Sequence, residues 1–500
     1  MPSRFGQSKT VRTFLGLLSV TILAAVIGWG VVALGFFDTQ TRHAFQLWTI
    51  LCWVLFILAC FLLRRVHQKS VVVVVLIGAA LVGGAAIAGP PNTSTDSARY
   101  AWDGIVQEHG ISPYDHAPNS HATASIRTPW LFPATVATAD GTEKCTGTRV
   151  FSTYDSATHQ RLCTTINRPG VLTIYPGAAE LYFVAVRALV PFAVAYWPFQ
   201  AVGLLLSLAI TGGLVVILRR RSRDPRWAAL WGWCPLVASE GITNSHIDLL
   251  AAGLAVVATV LVANGRRWFG GIALGAAIAT KLIPVVAAPA LLRRQPYKIA
   301  IGAAVTFVLF YLPYVIQTGP KVLGYLPGYL SEEGVDNGSG FALIYPFVHG
   351  KATTVVAVLI LLVVALVVWR KTDPADPWLG QVVMIGAFLF VLSPRYPWYA
   401  LMLIPFVALT GRWEWLGVGL AISIRQFWPI ANIRLETLSV ALAIVVVVSI
   451  RRSGPGWWGR MRGPGVWAGS GRLGRAPADP PTPPATRPSS RGTPEQGTEG

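Results

Sequence analysis

Runs of apolar residues separated by short polar breaks occupy most of the chain. The first three, 14–37, 45–63 and 71–89, each reach the length of roughly 17 to 25 residues that crosses a bilayer core about 30 Å thick. They predict helices that span a membrane. Arg4, Lys9 and Arg12 precede the first run, and Arg64, Arg65, His67 and Lys69 lie between the second and third. Basic loops stay in the cytoplasm, so the N-terminus is expected inside and the third span is expected to exit outside near Pro90. The first run is long, lacks a convincing small-residue cleavage site and is followed by further spans, which argues against a signal peptide.

Residues 90–175 are polar and far longer than an ordinary connection, the mark of a functional loop, here on the outer side. The apolar stretch 176–218 offers two readings. As two spans it would put Arg187 in mid-membrane and the cluster Arg219, Arg220, Arg221, Arg223, Arg226 outside. A helix at 178–190 along the outer interface, followed by one span at 192–218, avoids both costs and is the reading adopted. Further spans are predicted at 227–238, 249–262, 299–315, 353–368, 379–391, 398–409, 415–430 and 438–450, several of them short enough to suggest tilted or broken helices around a cavity. The stretch 269–292 has Arg266 and Arg267 before it and Arg293, Arg294 and Lys298 after it, which predicts a hairpin that enters and returns, turning near Lys281 and Pro284. The expected fold is an all-α polytopic membrane protein of about twelve spans with a re-entrant hairpin and a large first outer loop. Its parts are the N-terminal helices 1–89, the outer loop with its interfacial helix 90–191, a membrane core 192–450 and a disordered basic cytoplasmic tail 451–500. No repeat of 20 to 50 residues and no clear inverted repeat is visible, which weighs against a transporter.

Composition agrees with the pattern. Of the 500 residues 53% are hydrophobic and only 13% charged, about half the charged share of a soluble domain. The net charge of +19 needs no nucleic acid to explain it, because most basic residues fall in predicted inner loops and the tail. Cys52, Cys60 and Cys234 fall in or near spans and read as packing residues, whereas Cys145 and Cys163 both lie in the outer loop, where oxidation is permitted, and are expected to pair. Most of the 19 tryptophans are expected in interfacial belts; Trp102 and Trp130 of the outer loop are candidates for stacking on a sugar.

Candidate chemistry begins just beyond the third span, with DSARYAWDG at 96–104 and GISPYDHAP at 110–118. Asp96 or Asp103 reads either as a helix cap or as a base for a hydroxyl proton, and Tyr100, Trp102 and Tyr114 as faces for a sugar ring. His246 and Asp248 offer a His-x-Asp pair. With no third ligand near it, an orienting hydrogen-bonded pair is preferred to a metal site. Glu332, Glu333, Asp336 and Asn337 form an outer turn, either solvated or facing acceptor hydroxyls.

Those motifs, with INRPGVLTIYPGAAE at 166–180, NSHID at 244–248, ATKLIP at 279–284, GYLPGYLSEEGVDNGS at 324–339 and SPRYPWY at 393–399, together resemble glycosyltransferase family 87. The resemblance covers roughly 96–405. It implies a GT-C-type membrane enzyme that moves a hexose, mannose foremost, from a polyprenyl-phosphate sugar to a lipoglycan or polysaccharide acceptor on the outer face of the plasma membrane, with inversion. The family's Asp-x-x-x-Tyr pattern falls on Asp96 and Tyr100, which makes Asp96 the expected base and Asp103 its runner-up. Arg395, Lys281 and Arg99 are expected at the donor phosphate; Tyr100, Trp102, Tyr114, Tyr175, His246, Asp248, Glu332 and Asn337 at sugar or acceptor. Two departures stand out: Thr95 where many relatives have an acid, and Gly177 where many have Pro. No cofactor is expected, since the polyprenyl-phosphate sugar is a substrate, and a divalent metal stays open. Expected partners are membrane lipid, the donor and a glycan or glycolipid acceptor, with no nucleic acid. Two alternatives remain: a carrier or flippase for a lipid-linked sugar, and the same enzyme type acting on arabinofuranose or glucose.

Overall fold

The computed structural model describes residues 4–139, 141–430 and 432–453. Apart from its first three residues, the expected basic tail lies outside the described residues. The chain is mostly helical. In order come α1 (Arg4–Ala33), α2 (Arg42–Leu63), α3 (Gln68–Ala86), α4 (Asp96–Glu108), α5 (Gly177–Arg187), α6 (Trp197–Arg220), the short α7 (Ala229–Gly232), α8 (Asp248–Ala263), α9 (Arg267–Thr280), α10 (Pro296–Thr318), α11 (Leu326–Glu332), α12 (Lys351–Lys371), α13 (Trp378–Leu392), α14 (Ile404–Thr410), α15 (Leu416–Phe427) and α16 (Ile433–Ser453). Among the described residues seven helices are long and apolar enough to cross a membrane, or eight if the pair Val237–Thr243 and Asp248–Ala263, bent by 108°, counts as one. The last helix runs to Ser453, three residues past the predicted end of its span.

Polar contacts gather the breaks into two groups. Arg226 donates to the carbonyls of Leu63 and Val66, Arg293 to Thr372, Arg221 to Ala375, Arg223 to Leu409 and Arg452 to Gly411. These tie the basic breaks to one end of the molecule. At the other end Phe37 N donates to Asn92 O, Asn92 N to Asn244 Oδ1, Gln46 to Phe427 O and Arg434 to Ser393 O. Arg221 and Arg223 also face Asp376, and Glu414 holds Arg412 and Arg452, so the basic end carries its own few acids.

The segment between α3 and α6, the expected outer loop, is a small folded unit, the outer unit. α4 packs on α5, two antiparallel ladders β1 (Val136–Ala137) with β2 (Glu143–Lys144) and β3 (Phe151–Tyr154) with β4 (Arg161–Thr164) follow α4, and Cys145 and Cys163 form the expected disulfide. Trp102 is buried against Phe132 in the core of this unit, and Trp130 donates to Phe192 O. α5 is about 16 Å long by its eleven residues, too short to span. Arg187 ends it by donating to the carbonyls of Val194 and Pro191, which partners its charge at the helix C-terminus. At Gly177 an added Cβ would meet Phe310 O at 2.2 Å, so the departure from Pro coincides with close packing of α5 on α10.

The stretch 267–295 doubles back. α9 rises about 21 Å over fourteen residues, leaves helical geometry at Lys281 (φ −154°, ψ 140°) and returns through the 3-10 segment Ile283–Ala290, about 16 Å. Its two ends meet where Arg267 donates to Gln295 Oε1 at 2.9 Å. The tip, Lys281, donates to Asp248 Oδ2 at 2.6 Å, at the start of α8. A Gly-x-x-x-Gly step, Gly271 and Gly275, lets α9 lie on α10: a Cβ at these positions would come 2.5 Å from Ile299 O and 2.4 Å from Ala303 O.

Candidate active site

A cavity of about 550 Å³ opens where the outer unit, the hairpin tip and the segment after α13 converge. Asp96 sits on its wall as the first residue of α4. It is drawn there because the chain leaving α3 is tied down by Asn244, whose Oδ1 accepts from the backbone N–H of both Asn92 and Thr93. Asn167 Nδ2 donates to Asp96 Oδ1 at 2.6 Å, the Tyr175 hydroxyl lies 3.5 Å from Oδ2, and His246 Nδ1 lies 3.4 Å from Oδ2. Burial pushes the Asp96 carboxyl up, but the contacts from His246 and Asn167 and the charge of Lys281 outweigh it and bring its pKa down to about 2. Asp96 is therefore ionised at neutral pH and able to accept a proton.

Asp103 lies seven residues on and faces elsewhere. Arg99 Nε donates to both of its carboxylate oxygens, at 2.9 and 3.0 Å, and the pair is buried beside Glu180. Burial pushes Glu180 well above the ordinary carboxyl range, and the Asp103 charge adds to this against the bonds from Thr173 and Gln107. Arg99 itself reaches the cavity, donating Nη1 to Val171 O while its buried Nη2 has no hydrogen-bond partner. An unmatched buried N–H in a cavity wall is a natural contact for an anionic ligand oxygen.

Two further cations reach this space. Lys281 is tied to Asp248 and lies 4.7 Å from the centre of the Tyr399 ring. Arg168, with a left-handed φ of 48°, pairs with Glu332 at 2.8 Å and lies over Tyr329. Arg395 stands outside the lining with a 3.9 Å contact to Glu333, which does line the cavity. Apolar side chains, among them Leu330, Phe388 and Leu392, make up much of the remaining wall.

The other predicted residues divide. Tyr175 lines the cavity, whereas Tyr100 stacks on Phe183 behind it and Tyr114 donates to Tyr175 O. Trp102 is turned into the core of the outer unit. Asn337 accepts from Ser339 N within its own turn, and Glu332 is engaged by Arg168 and Tyr325. The His246 ring is fully buried and stacked on Trp398 at 3.8 Å, so it touches Asp96 and not the cavity space. Residues that sequence reasoning did not single out include Asn167, Arg168, Tyr329 and Trp398 on the cavity wall and Glu240 behind His246. Most of them stand inside motifs already quoted.

No curated protein matches this chain, and no solved structure does. The family model described as glycosyltransferase family 87 matches residues 174–394, a stretch that runs from the cavity wall at Tyr175 through the hairpin to Pro394, and this match supports the family the motifs resemble and indicates a glycosyltransferase.

Proposed function

We propose that the protein is a polytopic GT-C-type enzyme of about twelve spans and a re-entrant hairpin, transferring a hexose, mannose foremost, from a polyprenyl-phosphate sugar to a cell-envelope glycan or glycolipid. In this reading the basic end faces the cytoplasm and the cavity opens on the outer side of the plasma membrane. The observation that carries it is an ionised carboxylate, Asp96, on the wall of a cavity that is apolar over much of its lining and has Arg99, Arg168 and Lys281 within it. The apolar wall suits a polyprenyl chain and the cations suit its phosphate, with Arg395 at the rim.

The proposed step is a single displacement. Asp96 accepts the proton of an acceptor hydroxyl, the hydroxyl oxygen bonds to the anomeric carbon, and the bond from that carbon to the phosphate oxygen breaks, releasing polyprenyl phosphate with inversion. Cations held in a partly dry cavity stabilise the leaving phosphate more than they would in water. The test is transfer of radiolabelled mannose from polyprenyl-phosphate-mannose to membrane acceptors by the purified protein in liposomes. Labelled product is expected. Movement of the donor across the bilayer without product would make the protein a carrier, and product only from an arabinofuranose or glucose donor would change the sugar.

A further inference from the structure

Behind Asp96, on the side away from the cavity, stands a carboxylate that this chemistry leaves unused. Glu240 is 1% exposed and lies in the π-helical turn Val237–Thr243. An ionisable residue inside an apolar helical layer is costly and persists where it has work and partners. Its Oε1 accepts from Ser239 Oγ at 2.8 Å, and its Oε2 lies 3.3 Å from His246 Nε2. The opposite ring nitrogen of His246 is the one 3.4 Å from Asp96. Neither ring contact is aligned as a hydrogen bond.

The backbone is bent to make this line. The wide π turn brings the Glu240 carbonyl to within 3.0 Å of His246 N, and Ser245 between them takes a left-handed φ of 58°. Such a conformation in a residue other than glycine is strained and gathers at functional sites. Glu240 also borders a second, small cavity of about 30 Å³, shared with Thr49, Ser239, Ser423 and Gln426, room for about one water. The buried Oε1 of Gln426 has no protein donor there, so the pocket offers polar groups for a water to bridge.

Resting on the assignment of Asp96 as base, we propose that Glu240 is a positioning residue that acts through His246, holding the ring between the two carboxylates so that its Nδ1 stays on Asp96. The balance is simple. The acceptor hydroxyl gives its proton to Asp96 as the polyprenyl phosphate leaves, Asp96 then gives it up to water in the cavity, and His246 and Glu240 end the turnover with the protons they began with. A carboxyl held as low as Asp96 is a poor resting place for a proton, which favours its onward transfer. The charged or titratable groups facing this line are Asp248 and Lys281 beside the cavity, and the phenols of Tyr100, Tyr175, Tyr329 and Tyr399.

The test measures kcat and donor KM against pH for wild type, Glu240→Gln, Glu240→Asp, His246→Gln and the Glu240→Gln/His246→Gln double variant in liposomes, with Asp96→Asn alongside. Loss of the Glu240 charge frees the ring and weakens its support of the ionised Asp96, so the acid limb of kcat moves to higher pH and the plateau falls about tenfold or more with donor KM little changed. Glu240→Asp restores part of the rate, and the double variant is no slower than His246→Gln alone, because one residue acts through the other. A Glu240→Gln enzyme with the wild-type kcat and pH profile, or losses that simply multiply in the double variant, overturns the positioning role. An active Asp96→Asn enzyme overturns the base assignment instead, whatever Glu240 does.

Discussion

Asp96 and Asp103 share one helix and have opposite environments. The first turns toward Asn167, His246 and the cavity; the second is locked to Arg99 in the protein interior. The apparent equivalence of two aspartates in DSARYAWDG is thus resolved by position along α4: seven residues return to within about 20° of the same face but about 10 Å further along the axis, where the neighbours differ. Glu180 supplies a residue-level prediction. Its carboxyl is pushed up, so its proton favours the fold most below the ordinary carboxyl range, and that contribution is lost as pH rises above it. Glu180→Gln, neutral at every pH, is expected to melt at a temperature that gains on wild type as pH goes from 5 to 8. A constant difference across that range would mean that Glu180 is ionised in the folded protein.

At the level of elements, long apolar runs were readable because the bilayer sets their length and the helix satisfies its own backbone. α1, α2, α3, α6, α10, α12 and α16 follow the predicted runs closely. The stretch 225–243 does not. A single apolar run there breaks into the 3-10 turn Pro225–Ala228, α7 and a π turn, and nothing in hydropathy marks a π turn, which arises from how the segment packs around Glu240 and His246. The hairpin rests on the contact of Gly271 and Gly275 with α10, so Gly275→Leu is expected to push α9 away and displace Lys281 from Asp248. Its measured outcome is a lower melting temperature together with loss of transfer. Wild-type stability and rate in that variant would show that α9 does not need its close approach.

Across the whole molecule the surplus of basic charge is organised. Arginines at one end bind the carbonyls that close inter-helix breaks, while the cations near the cavity are each set against a carboxylate: Arg99 with Asp103, Lys281 with Asp248, Arg168 with Glu332. A net charge of +19 thus says little by itself, and the few paired charges near one cavity say most. The site was legible as a set of motifs because each contributes a loop at the same end; which side chains meet the cavity depends on helix rotation and on strained turns at Arg168, Ser245 and Ser393, features that no sequence periodicity encodes.

The central claim is that Asp96 takes the acceptor proton in glycosyl transfer, and the most direct measurement is the transfer rate of Asp96→Asn beside Asp103→Asn, both in liposomes and both checked for intact folding by size exclusion and melting temperature. Asp96→Asn is expected to fold and to lose transfer by about 10²-fold or more, while Asp103→Asn keeps the chemistry and loses stability through the unpaired Arg99. Full transfer by a folded Asp96→Asn enzyme, with activity lost in a folded Asp103→Asn enzyme, would contradict the account.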